Sequence, residues 1–215
     1  MSGILRIMAV AAATLTFPVT GSAQSAQQLA EPGGSQIRLG DTWTQFPYPS
    51  WQKTNNTLAE TRLMRQQRGD TLILAMIPKN QKAQEWKNQY TLYGTFNETL
   101  TLRQFMNSSV GVFLAACGRE NFKLRKVLRQ PSSAIVVVYC KNSPSGPAEY
   151  GYGEGVGEVT LMWIGKHENS FIKVYEQWRG PKFDFADASS WPVSNSILNR
   201  SIARFSGIRL LPYTP

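Results

Sequence analysis

The chain has 215 residues, 42% of them hydrophobic, and a formal net charge of +9 with one histidine and two cysteines. A chain of this length can bury a sizeable core as a single domain, and one histidine with two cysteines, if these are joined in a disulfide, cannot supply the three or four ligands of a zinc site. The positive balance suits an anionic surface or an acidic protein as partner, and it is also an ordinary solubility device.

The N-terminus, "MSGILRIMAVAAATLTFPVTGSAQSAQQ", places Arg6 before an apolar run from Ile7 to Val19 and then "GSA", with small residues at Gly21 and Ala23. This is the three-part pattern of a secretory signal peptide, cleaved after Ala23. The apolar run falls short of the roughly 20 residues of a spanning helix, and no later run is long enough. No cysteine lies near the cleavage point for lipid attachment. Residues 24–35, rich in Gln, Ser, Ala and Gly, read as a flexible lead-in, and residues 36–215 as one domain.

Residues 35–46 alternate weakly and suit a short first strand. Residues 46–56 hold two prolines and two asparagines and read as loop. "TRLMRQQ" (61–67), a turn at Gly69 and Asp70, and "TLILAMIP" (71–78) read as a hairpin whose second arm is central and buried. The tripeptide "RGD" at 68–70 sits where a turn is needed and carries no adhesion signal. Ala83, Trp86, Tyr90 and Tyr93 recur at helical spacing, which predicts a helix over 82–92. Leu102, Phe105, Met106, Val110, Phe113 and Ala116 or Cys117 form a stripe that predicts a second helix over 101–117, packed on a sheet and stopped by Gly118.

Residues 121–130 and 133–140 form the next strand pair, the second arm almost wholly apolar and β-branched. The first arm carries Lys123, Arg125, Lys126 and Arg129, with Arg119 just before it. Phe122, Leu124 and Leu128 point away from these if one residue bulges near Lys126 or Val127. The five basic residues are candidates for an anion- or partner-binding edge; the alternative is a strand edge guarded against aggregation by charge. Residues 141–153 are a long proline-containing loop. "EVTLMWIG" (158–165) and "FIKVYEQW" (171–178) make a strong hairpin. Ser194 caps a last helix over 194–205, and 208–211 suits a final edge strand. Hairpins in succession, with helices between and after them, predict an α+β domain with a mostly antiparallel sheet.

Export would place Cys117 and Cys140 in an oxidising compartment, so a structural disulfide is expected. The alternative is a reactive thiol beside Arg119. Catalytic patterns are sparse. "SWQK" (50–53) matches S-x-x-K but lacks its companion elements and sits among prolines. His167 lies in a turn with no nucleophile motif near it. "DFADASS" (184–190) departs from the calcium-loop pattern. No catalytic residue, metal or cofactor is assigned. Glycine occupies 151, 153, 155 and 157, but no G-x-G-x-x-G or P-loop lysine follows. The alternation continues as Val159, Leu161 and Trp163. This predicts a break or bulge near Gly153 to Gly155, then a regular strand; the alternative is a bulky neighbour, such as a tryptophan, lying flat across the glycine face.

Two segments, "MIPKNQKAQEWKNQYTLYGTF" (76–96) and "GEVTLMWIGKHENSFIKVYEQWRGP" (157–181), resemble the small exported bacterial proteins of the PsbP-like class. Cys117 and Cys140 fall where that class often has its pair. The resemblance covers about half of the chain beyond the signal peptide. It implies an α/β/α sandwich and a non-enzymatic binding or assembly role, and it carries no site residues over. The leading expectation is therefore a soluble periplasmic accessory protein that binds another envelope protein or an anionic surface, with no nucleic acid partner. The alternatives are a small-ligand or lipid-binding protein with an aromatic cavity from Trp86, Tyr90, Trp163 and Trp178, a component of a secretion or conjugation apparatus, and a hydrolase with an unrecognised site.

Overall fold

The structure, a computed structural model, describes residues 30–31, 34–52 and 60–213; the signal peptide reading lies outside them. Hairpin after hairpin builds a fully antiparallel seven-stranded sheet. Its strands are β4 (Thr61–Arg68), β5 (Thr71–Pro78), β6 (Asn88–Phe96), β7 (Phe122–Arg129), β8 (Ser133–Cys140), β9 (Val156–His167) and β10 (Ser170–Pro181), in the order β4-β5-β6-β10-β9-β8-β7. β1 (Ala30–Glu31), β2 (Gly34–Leu39), β3 (Thr42–Pro47) and β11 (Arg209–Pro212) form a separate four-stranded sheet. β1 and the start of β2 fall within the segment expected as lead-in, where Ala30 pairs with Ser35. Two helices complete the described residues: α1 (Leu102–Cys117) and α2 (Asn195–Phe205). The class is α+β, with a mostly antiparallel sheet.

The two faces of the large sheet are covered differently. The first carries Leu74, Leu92, Val137, Leu161, Val174 and Trp178, and packs against Ile37 and Phe46 of the small sheet and Leu198 and Phe205 of α2. The second carries Val136, Met162, Ile164 and Phe171 and packs against Phe105 of α1. The two helices thus lie on opposite faces. Each begins at a side-chain cap: Thr101 accepts from Gln104 N–H and Gln104 returns the bond, while Ser194 accepts from Ile197 N–H. α1 stops at Gly118, whose φ of +73° is costly for any residue with a Cβ.

The helix expected over 82–92 is absent. Residues 88–96 are instead the strand β6, paired with β5 and β10 along its length. Tyr90, Leu92 and Gly94 form its buried side with period two; Gly94 hides that period from sequence because its apolar neighbour, Leu39, fills the space where its side chain would stand. The glycine run behaves as a strand break, since β9 begins only at Val156, after Gly153 and Gly155 at φ +148° and +85°. The ring across Gly157 is a phenylalanine, not a tryptophan: a Cβ there would fall 2.6 Å from Phe183.

Cys117 and Cys140 form the disulfide, with Cα atoms 5.6 Å apart and a sequence separation of 23. It ties the C-terminus of α1 to the end of β8. Replacing both cysteines with serine is expected to lower stability by about 3 kcal/mol through the loop released in the unfolded chain. Denaturant unfolding of the double variant measures this, and a shift under 1 kcal/mol would show that the loop is restrained without the bond.

Candidate functional site

α1 does not seal the second face. Its N-terminal half sits on Phe171 and Ile164 through Phe105, and its C-terminus is held by the disulfide. Between the helix and the strands beyond it lies a cleft of about 690 Å³. Val112, Phe113 and Ala116 of α1 form one wall, and Met162, Lys173, Tyr175 and Gln177 of β9 and β10 form the floor. The loops 79–87 and 141–155 close the far end with Trp86, Pro147, Tyr150 and Tyr152.

The far end is organised by a buried ion pair. Glu158 accepts from Thr160 Oγ1 (2.7 Å), Gln177 Nε2 (2.8 Å) and Tyr152 Oη (2.9 Å). Arg179 Nη2 stands 3.9 Å from the same carboxylate, with both side chains almost fully enclosed. The guanidinium is wedged in the corner between two rings, its Cζ 3.6 Å from the Trp86 centroid and 4.0 Å from that of Tyr152. Arg179 Nη1 donates to the Tyr150 carbonyl at 2.7 Å. One side chain on a rigid strand therefore holds both closing loops. Burial raises the Tyr152 hydroxyl well above its ordinary range, and the Glu158 charge adds to this, so Tyr152 stays a donor. Gly151 permits the approach: a Cβ there would meet the Gln84 carbonyl at 2.4 Å.

Lys173 lies about six residues along β10 from Arg179, so roughly 20 Å away at 3.3 Å per residue. It is 5% exposed and lines the cleft. The rings of Tyr93, Tyr175 and Phe105 surround its Nζ at 4.7, 5.8 and 5.9 Å. It has no hydrogen bond and no ion pair among the described residues. Burial pushes this ammonium down to about 8.

A second buried carboxylate lies on the first face and serves the scaffold. Glu176 accepts from Ser50 N–H (2.6 Å) and Ser201 Oγ (2.9 Å), with Arg204 at 3.4 Å. It joins the 48–52 loop and α2 to the sheet. Burial raises its carboxyl, and the Ser50 and Arg204 contacts pull it back down.

The five basic candidates stand elsewhere. Arg119 is exposed in a short 3-10 turn, and the others lie on β7, the outermost strand. The bulge falls at Val127, the position expected, but its effect differs from the expectation: Phe122 and Leu124 stay on the face of Val138, while Leu128 pairs with Ile135 on the opposite one. Lys123 and Arg125 consequently share the first face, and Lys126 and Arg129 the second. Lys123 and Lys141 approach the Phe185 ring at 5.9 and 5.6 Å, and none of the five lines the cleft. Of the four aromatics weighed for a cavity, Trp86 lines the cleft; Tyr90, Trp163 and Trp178 belong to the first-face core.

Ser50 uses its N–H to hold Glu176, and Lys53 lies outside the described residues. His167 meets Thr42 Oγ1 at 3.2 Å. Among the described residues no group of three or more His, Cys, Asp and Glu is placed to hold a metal, and no helix is long and apolar enough to cross a membrane. No family model matches the chain, and neither does any curated protein or solved structure with which it was compared.

Lys173, Glu158, Gln177 and Arg179 escape sequence reading, yet a signal exists. β10 carries Lys173, Tyr175, Gln177 and Arg179 at alternate positions in a strand too apolar on its other side to be an edge. A central strand with one polar face beneath a helix marks a space the helix does not fill.

Proposed function

We propose that the protein is a non-catalytic binding protein of the bacterial periplasm that holds a small molecule with an elongated apolar body between α1 and the sheet. The observation that carries this is the cleft. Its volume lies in the range of small-molecule sites, and its apolar walls with a few placed polar groups are the usual makeup of such sites. The signal-peptide pattern and the disulfide support the compartment. The PsbP-like resemblance supports a binding role in place of an active site. Ligand binding is favoured over docking of an envelope partner on the basic strand, because the bulge divides those charges between two faces.

The neutral dye N-phenyl-1-naphthylamine, which brightens in apolar surroundings, tests the reading. The protein without its signal peptide is expected to bind it saturably. Ala116→Trp, which places a ring inside the cleft, is expected to weaken binding tenfold or more with little change in unfolding temperature. Equal dye affinity in the variant would overturn the assignment to this cleft.

A further inference from the structure

Lys173 is a feature of the cleft that packing does not explain. A lysine this deeply enclosed is ordinarily paired with a carboxylate or hydrogen-bonded, because burying a lone charge is costly. Glu158 pairs in register with Arg179, six residues along the strand, and its carboxylate is already satisfied by Tyr152, Thr160 and Gln177. Only aromatic rings approach the ammonium, and ring faces leave its three N–H donors without acceptors. The side chain nevertheless opens onto the cleft.

We propose that the cleft takes an amphiphile with a single carboxylate head, seated on the Lys173 ammonium, its apolar body lying along Tyr175 and Met162 toward Trp86. This rests on the cleft being a ligand site at all. A single negative charge is favoured over a phosphate because one cation is present and no arginine fork or helix N-terminus joins it. The ion pair at the far end sets the direction, since a head group placed there would meet the Glu158 carboxylate. The groups that face Lys173 carry no competing charge. Tyr93 approaches from β6, Tyr175 from β10 itself and Phe105 from α1. The other titratable groups lining the cleft are Glu149, Tyr150, Tyr152 and Glu158. Burial holds Tyr175 neutral by pushing it up to about 12.

The experiment uses a pyrene-labelled long-chain carboxylic acid and its methyl ester, probes that share a body and differ in head charge. At pH 7 the protein without its signal peptide is expected to prefer the acid at least about tenfold, the worth of one charged hydrogen bond. Lys173→Met is expected to bind acid and ester alike, and Lys173→Arg to keep the preference. Raising the pH from 7 to 9.5 is expected to erase the wild-type preference as the ammonium loses its proton. Equal binding of both probes by the wild type, or an acid preference that survives Lys173→Met, would overturn the head-group assignment and leave the cleft reading standing. Failure to bind acid, ester and neutral dye alike would overturn both.

Discussion

Lys173→Met is expected to make the unliganded protein more stable at pH 7, by up to about 3 kcal/mol. Burial holds the native ammonium near 8 against 10.5 for a free lysine, and each unit of such a difference is worth about 1.4 kcal/mol. The sign follows from proton counting. Between about pH 8 and 10.5 the unfolded chain holds this proton and the native chain does not, so wild-type stability rises with pH across that window. Below 8 both states are protonated and the native protein bears the full cost of the enclosed charge. Methionine keeps the length of the stem, carries no charge and makes favourable contacts with the rings of Tyr93 and Phe105. The gain should raise the unfolding temperature by about 6–12 °C at pH 7, and it should shrink steadily between pH 8 and 10.5. A variant less stable than the wild type at pH 7 would show that the ammonium has a stabilising partner. A residue that costs stability in the empty protein is explained when a ligand removes the cost, and here the same substitution separates the two effects.

How much of this was visible beforehand depends on which interactions set each element. The hairpins at 61–78, 121–140 and 158–178 are legible because turn residues and β-branched runs act locally. Both helices and the bulge at Val127 are legible from local periodicity, and the Cys117–Cys140 bond from the export pattern and a count of two cysteines. Residues 88–96 are not, because Trp86, Tyr90 and Tyr93 fall at helical spacing by coincidence and Gly94 removes a side chain from the true period. Pairing with β5 and β10 decides the matter, and both partners are distant in sequence. The cleft is harder still. Its walls come from a helix, five strands and two loops, and its emptiness depends on how far α1 stands from the sheet. What the sequence does display is the polar alternation of β10, which has meaning only once both faces of that strand are known to be covered.

Arg179→Ala is expected to be the most damaging single change in the cleft, at about 3–5 kcal/mol. Removing one member of a buried pair leaves the other charge enclosed without compensation. Glu158 would keep its bonds from Tyr152, Thr160 and Gln177 but lose the one cation it pairs with among the described residues. The two rings that flank the guanidinium would face a void, and the Tyr150 carbonyl would lose its donor. Arg179→Lys is expected to recover only part of the loss, since an ammonium offers neither the planar contact with Trp86 and Tyr152 nor the fork. A cycle of Arg179→Met, Glu158→Gln and their combination should give a coupling above about 1 kcal/mol, because the double variant buries no lone charge. The residue acts on the site through the loops it holds, so a purely structural role and a positioning role part company in binding. Under conditions where both proteins are fully folded, Arg179→Lys should bind N-phenyl-1-naphthylamine several-fold more weakly than the wild type, as Trp86 and Tyr152 lose their common support. Unchanged dye affinity in a folded Arg179→Lys protein would confine Arg179 to stability and leave the closing of the cleft to the loops themselves.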